Sequence, residues 1–143
     1  RLAHATPKIV AIKEACGNIE QMQAILDGRP EDFLVLSGDD GITVELVKRG
    51  GDGVISVAAN AFPERFCGCV HNAMKGNIAL AESEIAELTP AIDLLFKEGN
   101  PTGVKAMTAA MGITRSEVRL PLVEGTENLA ADIKSAIARY ELK

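Results

Sequence analysis

The stretch Ile9-Val10-Ala11-Ile12-Lys13-Glu14-Ala15-Cys16-Gly17-Asn18 decides how the chain is read. Four apolar residues in a row, rich in β-branched side chains, predict a short strand buried on both faces. Lys13 stands at its carboxyl end. Cys16-Gly17-Asn18 turns the chain, and Asn18 suits the N-cap of a helix continuing from Ile19 to Leu26. The product is strand, loop, helix, with an amine where strand meets loop. Parallel α/β folds place their reactive groups at that end of their strands.

An ammonium is costly to bury without a partner, so Lys13 has two readings. In one it snorkels to solvent or pairs with Glu14, as most lysines do. In the other it is a nucleophile: partial desolvation lowers an amine's pKa and lets it attack a carbonyl to form a Schiff base. Lys13 alone does not decide between them.

Working outward, the β-loop-α pattern recurs. Asp27-Gly28-Arg29-Pro30 stops the first helix. Phe33-Leu34-Val35-Leu36 reads as a second buried strand, ending in Ser37-Gly38-Asp39-Asp40-Gly41, and a helix follows over about Ile42–Arg49. Gly50-Gly51-Asp52-Gly53 turns into a third strand, Val54-Ile55-Ser56-Val57, which Ala58 to Ala61 closes. Pro63 opens a helix running to about Lys75. Short apolar strands alternating with amphipathic helices predict a parallel sheet with right-handed crossovers. Neighbouring strands would then bring Lys13, the Ser37–Asp40 loop, and Ser56 with Asn60 to one rim.

From about Gly76 the pattern is helical. Ile78, Ala81, Ile85 and Leu88 are helix-spaced, and the pattern resumes through Ile92, Leu95 and Phe96. Pro90 therefore kinks one long helix or separates two. Further helices are expected over Thr102–Met111 and about Asn128–Glu141, with Ser116–Glu124 extended between them. The expected division is residues 1–76 and 77–143.

The glycine-rich pieces are weighed against phosphate binding. Gly50-Gly51-Asp52-Gly53 precedes a strand, whereas a phosphate cradle follows one, so tight-turn glycines are the better account. Asp39 and Asp40 repel phosphate; they suit either a polar or cationic substrate group or a solvated helix N-cap.

Composition narrows the classes. The chain has 143 residues, 47% of them hydrophobic, but only four Phe, one Tyr and no Trp, so its core is aliphatic. The net charge of −5, without basic runs interleaved with aromatics, argues against nucleic acid as a partner. The apolar runs are too short for a membrane span, and Arg1-Leu2-Ala3-His4-Ala5 lacks a signal-peptide pattern. Three cysteines, Cys16, Cys67 and Cys69, are poor material for a disulfide framework and fit a reducing compartment. Cys67 and Cys69 fall about 200° apart around a helix with no second ligand pair, so packing rather than metal binding is expected of the cysteines. His4 and His71 suggest no catalytic triad.

Four stretches in order carry a resemblance: Ile9 to Asn18, Leu36-Ser37-Gly38-Asp39-Asp40, Gly50 to Asn60, and Asn100-Pro101-Thr102-Gly103-Val104-Lys105. Together they resemble the dihydrodipicolinate synthase family of pyruvate-dependent class I aldolases, over essentially the whole chain. The resemblance implies an α/β fold comprising the last three βα units of a (β/α)8 TIM barrel followed by a C-terminal helical domain. It implies that Lys13 forms a Schiff base with pyruvate, whose enamine attacks aspartate semialdehyde in lysine and diaminopimelate biosynthesis. Gly38 and Asp39 match the loop lining the second-substrate pocket, Ile55 a strand-end residue whose backbone carbonyl faces the site, and Asn100 a pocket residue after the barrel. Cys16 stands where the family often has threonine or serine. No cofactor and no metal are implied; a cytoplasmic homotetramer is.

The resemblance also implies that five barrel strands, their tyrosines and an arginine for the semialdehyde belong to an amino-terminal half, without which the chain should not catalyse. The apparent half-helix at Arg1–Ala5 fits that expectation. Two other readings stay open: a sialic-acid or sugar-acid aldolase keeping the lysine chemistry, and a non-catalytic assembly fragment using an exposed sheet edge.

Overall fold

The structure is a computed structural model and describes residues 1–140. The fold is α/β. A parallel three-stranded sheet has the order β1 (Ala11–Glu14), β2 (Leu34–Ser37), β3 (Gly53–Val54). The helices are α1 (Leu2–Ala5), α2 (Ile19–Gly28), α3 (Thr43–Lys48), α4 (Pro63–Met74), α5 (Ile78–Phe96), α6 (Thr102–Ala110) and α7 (Glu127–Tyr140), with a 3-10 turn at Ala58–Asn60. No helix among the described residues is long and apolar enough to cross a membrane.

The chain forms two compact units, Arg1–Ser56 with Gly68–Ile85, and Val57–Cys67 with Ala86–Lys143. The sheet belongs to the first. Pairing places Ala11 opposite Leu34, Ile12 opposite Val35, Lys13 opposite Leu36 and Glu14 opposite Ser37. Because side chains alternate along a strand, Ile12, Glu14, Val35 and Ser37 share one face, and Ala11, Lys13, Leu34 and Leu36 the other. The first face is covered. Met22 of α2, Phe33, Val35 and Leu46 of α3 form a buried cluster joined by Ile12, Ile19, Ile25 and Leu26. Each fully buried side chain there contributes on the order of 1.5–3 kcal/mol.

The expectation that the first strand is buried on both faces, and the second simply buried, is corrected. Ile9 and Leu34 are exposed because helices of this chain cover only one face of the sheet, and Val10, which precedes β1, is exposed as well. The third strand is also shorter than expected. Val54 ends it, although the Ile55 N–H still donates to the Ser37 carbonyl at 2.9 Å.

In the second unit Leu95, Met107, Leu129 and Ile133 are fully buried, and α6 packs on α7. Helix α5 runs unbroken through Pro90, so the alternative of two separate helices is set aside. Its apolar stripe continues past the proline through the buried Leu88, Ala91, Ile92 and Leu95, which offsets the lost backbone hydrogen bond. Helix α7 is described to Tyr140, and the expected end at Glu141 lies outside the described residues. Residues 115–126 are largely irregular, with Thr102 Oγ1 donating to the Val123 carbonyl at 2.9 Å.

Candidate active site

The carboxyl ends of β1 and β2 lie side by side, and this pairing builds the rim. The Gly38 N–H donates to the Glu14 carbonyl at 2.7 Å, carrying the parallel ladder one step past the strands. That bond sets the bare Gly38 α-carbon against the side chains of Lys13 and Ala15. A Cβ at position 38 would stand 2.6 Å from Ala15 Cβ, 2.7 Å from Lys13 Cε and 3.1 Å from Lys13 Cγ. Lys13 and Gly38 are therefore in contact, on the sheet face not covered by helices. Lys13 is exposed.

The residue beside it behaves oppositely. Glu14 is only 7% exposed and does not serve Lys13 as an ion-pair partner. One carboxylate oxygen accepts the Cys16 N–H at 2.7 Å, and the other accepts the Gln21 side-chain amide at 2.8 Å. Hydrogen bonding from the Cys16 side chain first, then from Gln21, holds the Glu14 carboxyl below its ordinary value. The same contact with Glu14 pushes the Cys16 thiol up. Asn18 caps α2 as expected, its Oδ1 accepting the Gln21 N–H at 3.0 Å. Glu14 thus ties the end of β1 to the first turn of α2.

The loop after β2 is self-bonded. Ser37 Oγ donates to the Asp39 carbonyl at 2.7 Å, Thr43 Oγ1 donates to the same oxygen at 2.8 Å, and Asp39 Oδ1 accepts the Gly41 N–H at 2.9 Å. Asp39 is half-buried at the rim, whereas Asp40 is 1% exposed, so a solvated cap does not describe Asp40. Ile55 follows β3 with its side chain 50% exposed. Lys13, Gly38, Asp39 and Ile55 therefore share the carboxyl rim of one sheet. Asn100 belongs to the second unit, exposed between α5 and α6 and joined to Pro101 by a cis peptide.

The cysteines divide. Cys69 packs as expected: fully buried, its Sγ donates to the Ala81 carbonyl at 3.3 Å, and burial pushes the thiol up to about 11. Cys16 does not. It is exposed, and its Sγ accepts the Asn18 N–H at 3.3 Å, which makes it a turn residue.

Glu14 and Gln21 were missed in the sequence because a glutamate beside a lysine suggests a pair. Strand alternation was the available signal, since neighbours along a strand face opposite ways. Arg29 and Asp52 were missed as well. At the amino end of the sheet they form an ion pair; Arg29 also donates to the Phe33 and Gly50 carbonyls, and Asp52 accepts the Val35 N–H at 2.8 Å.

An amine at the carboxyl rim of parallel strands can add to a carbonyl carbon. Comparison with known proteins gives the class. A model of the dihydrodipicolinate synthetase family matches residues 1–140, and the chain belongs to that family. Among its relatives, the 4-hydroxy-tetrahydrodipicolinate synthase of Phocaeicola vulgatus is 49% identical over 123 residues, covering 86% of this chain and 41% of that protein. The Porphyromonas gingivalis 4-hydroxy-tetrahydrodipicolinate synthase is 40% identical over 141 residues, covering 96% of this chain and 48% of its own length. The crystal structure of the Thermotoga maritima dihydrodipicolinate synthase superposes with a TM-score of 0.96 at 33% identity, covering 99% of this chain and 49% of that one. The Aquifex aeolicus dihydrodipicolinate synthase gives 0.95 at 33% identity, covering 99% and 48%. The chain spans about half the length of the relatives it matches.

Proposed function

We propose that the chain is the carboxyl half of a 4-hydroxy-tetrahydrodipicolinate synthase and that Lys13 is its Schiff-base lysine. The observation that carries the reading is the place of Lys13 at the carboxyl rim of a parallel sheet, in contact with Gly38 and beside the Asp39 loop. In this reading the neutral Lys13 amine adds to the ketone carbon of pyruvate and water leaves. The imine then gives up a methyl proton, the enamine carbon bonds to the aldehyde carbon of aspartate semialdehyde, the aldehyde oxygen takes up a proton to become a hydroxyl, and the imine at Lys13 re-forms. The adduct's own amine displaces Lys13 as the ring closes.

Gly38 and Asp39 line the pocket of the second substrate, the Ile55 carbonyl faces the site, and Asn100 contributes from the helical region. The finer fold belongs to the same proposal: residues 1–76 are the last three βα units of a TIM barrel, and 77–143 a helical domain. Three strands cannot close a barrel, so an amino-terminal half of the same enzyme completes it and covers the exposed face around Lys13. The assembled enzyme is proposed to be a cytoplasmic homotetramer that uses neither metal nor cofactor.

The test is intact mass after borohydride reduction with pyruvate, on the complete enzyme. A pyruvyl adduct mapped to Lys13, absent in Lys13→Arg, is expected. No adduct on folded enzyme would sink the reading. Lys13→Arg keeps the positive charge, and its denaturation midpoint is measured alongside, so that loss of the adduct is read only on folded enzyme.

A further inference from the structure

Gly38 requires an explanation that its backbone does not supply. Its φ is not among the positive values found at Gly17, Gly50 and Gly53, so an L residue could adopt its conformation. What excludes a side chain is its neighbours. The ladder bond from the Gly38 N–H to the Glu14 carbonyl places the α-carbon between the outward side chains of Lys13 and Ala15. The Lys13 stem runs across the space a Cβ would fill, close at both Cγ and Cε.

We infer that Gly38 is a positioning residue for Lys13: its bare α-carbon is the seat on which the lysine stem lies, aiming the amine at pyruvate. This rests on the Schiff-base reading and assigns Gly38 a task separate from lining the second-substrate pocket. Glu14 supports the seat twice. Its backbone carbonyl holds Gly38, and its buried carboxylate holds the turn into α2, so the two loops flanking Lys13 keep their spacing.

The two close contacts predict different costs. Ala15 Cβ is fixed to the backbone and can yield only by moving the chain. The Lys13 stem is flexible and yields by rotating, which displaces its amine at little cost in folding. Gly38→Ala therefore injures the fold mainly through Ala15 and the chemistry mainly through Lys13. The double variant A15G/G38A removes the first conflict and leaves the second.

The experiment measures, in the complete enzyme, the rate at which pyruvate forms a borohydride-trappable adduct, and separately the KM for aspartate semialdehyde. In A15G/G38A, and in G38A where it folds, adduct formation is expected to slow about a hundredfold, the scale of an ångström-sized misplacement. Any change in the KM for the semialdehyde reports on the pocket that Gly38 also lines and does not bear on the trapping rate, which is measured with pyruvate alone. Parent-rate adduct formation in A15G/G38A would overturn the inference, as would a raised KM for the semialdehyde with adduct formation intact. Failure of the parent enzyme itself to trap pyruvate would instead remove the Schiff-base reading, so the two failures are distinct.

Discussion

Two glycines, one in each compact unit, stand where a methyl group does not fit, and they fail in different ways. At the sheet rim a Cβ on Gly38 meets side chains, one of them the long stem of Lys13. Where α6 meets the end of α5, a Cβ on Gly103 would lie 2.2 Å from the Leu95 carbonyl oxygen and 2.8 Å from that of Leu94. Backbone carbonyls cannot rotate away without breaking the helix. Gly103 is thus a condition for two helices to approach, and Gly38 a condition for one amine to point correctly. A close contact becomes informative about chemistry when the atom that must give way belongs to a reactive side chain.

The sharpest way to break that comparison is Gly103→Ala. Overpacking against rigid backbone costs about 3 kcal/mol, the upper part of the usual range, because neither partner has a rotamer to change. Gly103 is buried, so solvent offers no escape for the added methyl. The denaturation midpoint of the complete enzyme should fall accordingly, well below that of A15G/G38A. Equal stabilities for the two would mean that the α5–α6 approach is softer than its geometry implies.

The amino rim of the sheet extends the contrast. Arg29 and Asp52 are saturated by partners inside the chain, including the N–H of the fully buried Val35. Removing Asp52 leaves that buried N–H unmet and takes from the guanidinium its carboxylate, though not its two carbonyl partners, which costs about 1–3 kcal/mol. Asp52→Ala should therefore lower the midpoint and leave pyruvate trapping at Lys13 unchanged in folded protein. Loss of trapping at full stability would erase the distinction between a structural amino rim and a chemical carboxyl rim.

Much of this was legible in the sequence. Asn18, Gly28 and Pro63 marked helix ends that stand within about two residues of their expected places, because caps and breakers act locally. Family membership was legible from four ordered motifs, and the match over residues 1–140 bears it out. Strand burial was not legible. The apolar runs Ile9–Ile12 and Phe33–Leu36 report that both faces suit a dry environment, but not whether this chain covers both. Nor was the contact between Gly38 and Lys13, which depends on β1–β2 register across a gap holding all of α2. Register is a property of the pair, not of either segment.

The subtlest prediction concerns Glu14, whose carboxyl is held below its ordinary value of 4.5 by hydrogen bonds from Cys16 and Gln21. A group with a depressed folded-state pKa binds fewer protons when folded than when unfolded. Its contribution to stability is therefore complete above the ordinary carboxylate pKa and is lost as pH falls through the lower folded-state value. Glu14→Gln removes this titration. The amide keeps one acceptor for the Cys16 N–H but turns an N–H toward Gln21, so the variant starts slightly less stable near neutrality. As pH drops below 4.5, the parent loses the advantage and the two denaturation midpoints should converge. Glu98, similarly lowered by bonds from Thr126 in the other unit, titrates in both proteins and cancels from the difference. The double variant E14Q/Q21E restores a donor opposite an acceptor and should recover stability near neutrality. A gap between parent and E14Q that stays constant through the acid window would mean that the turn beside Lys13 is held by something other than the Glu14 carboxylate.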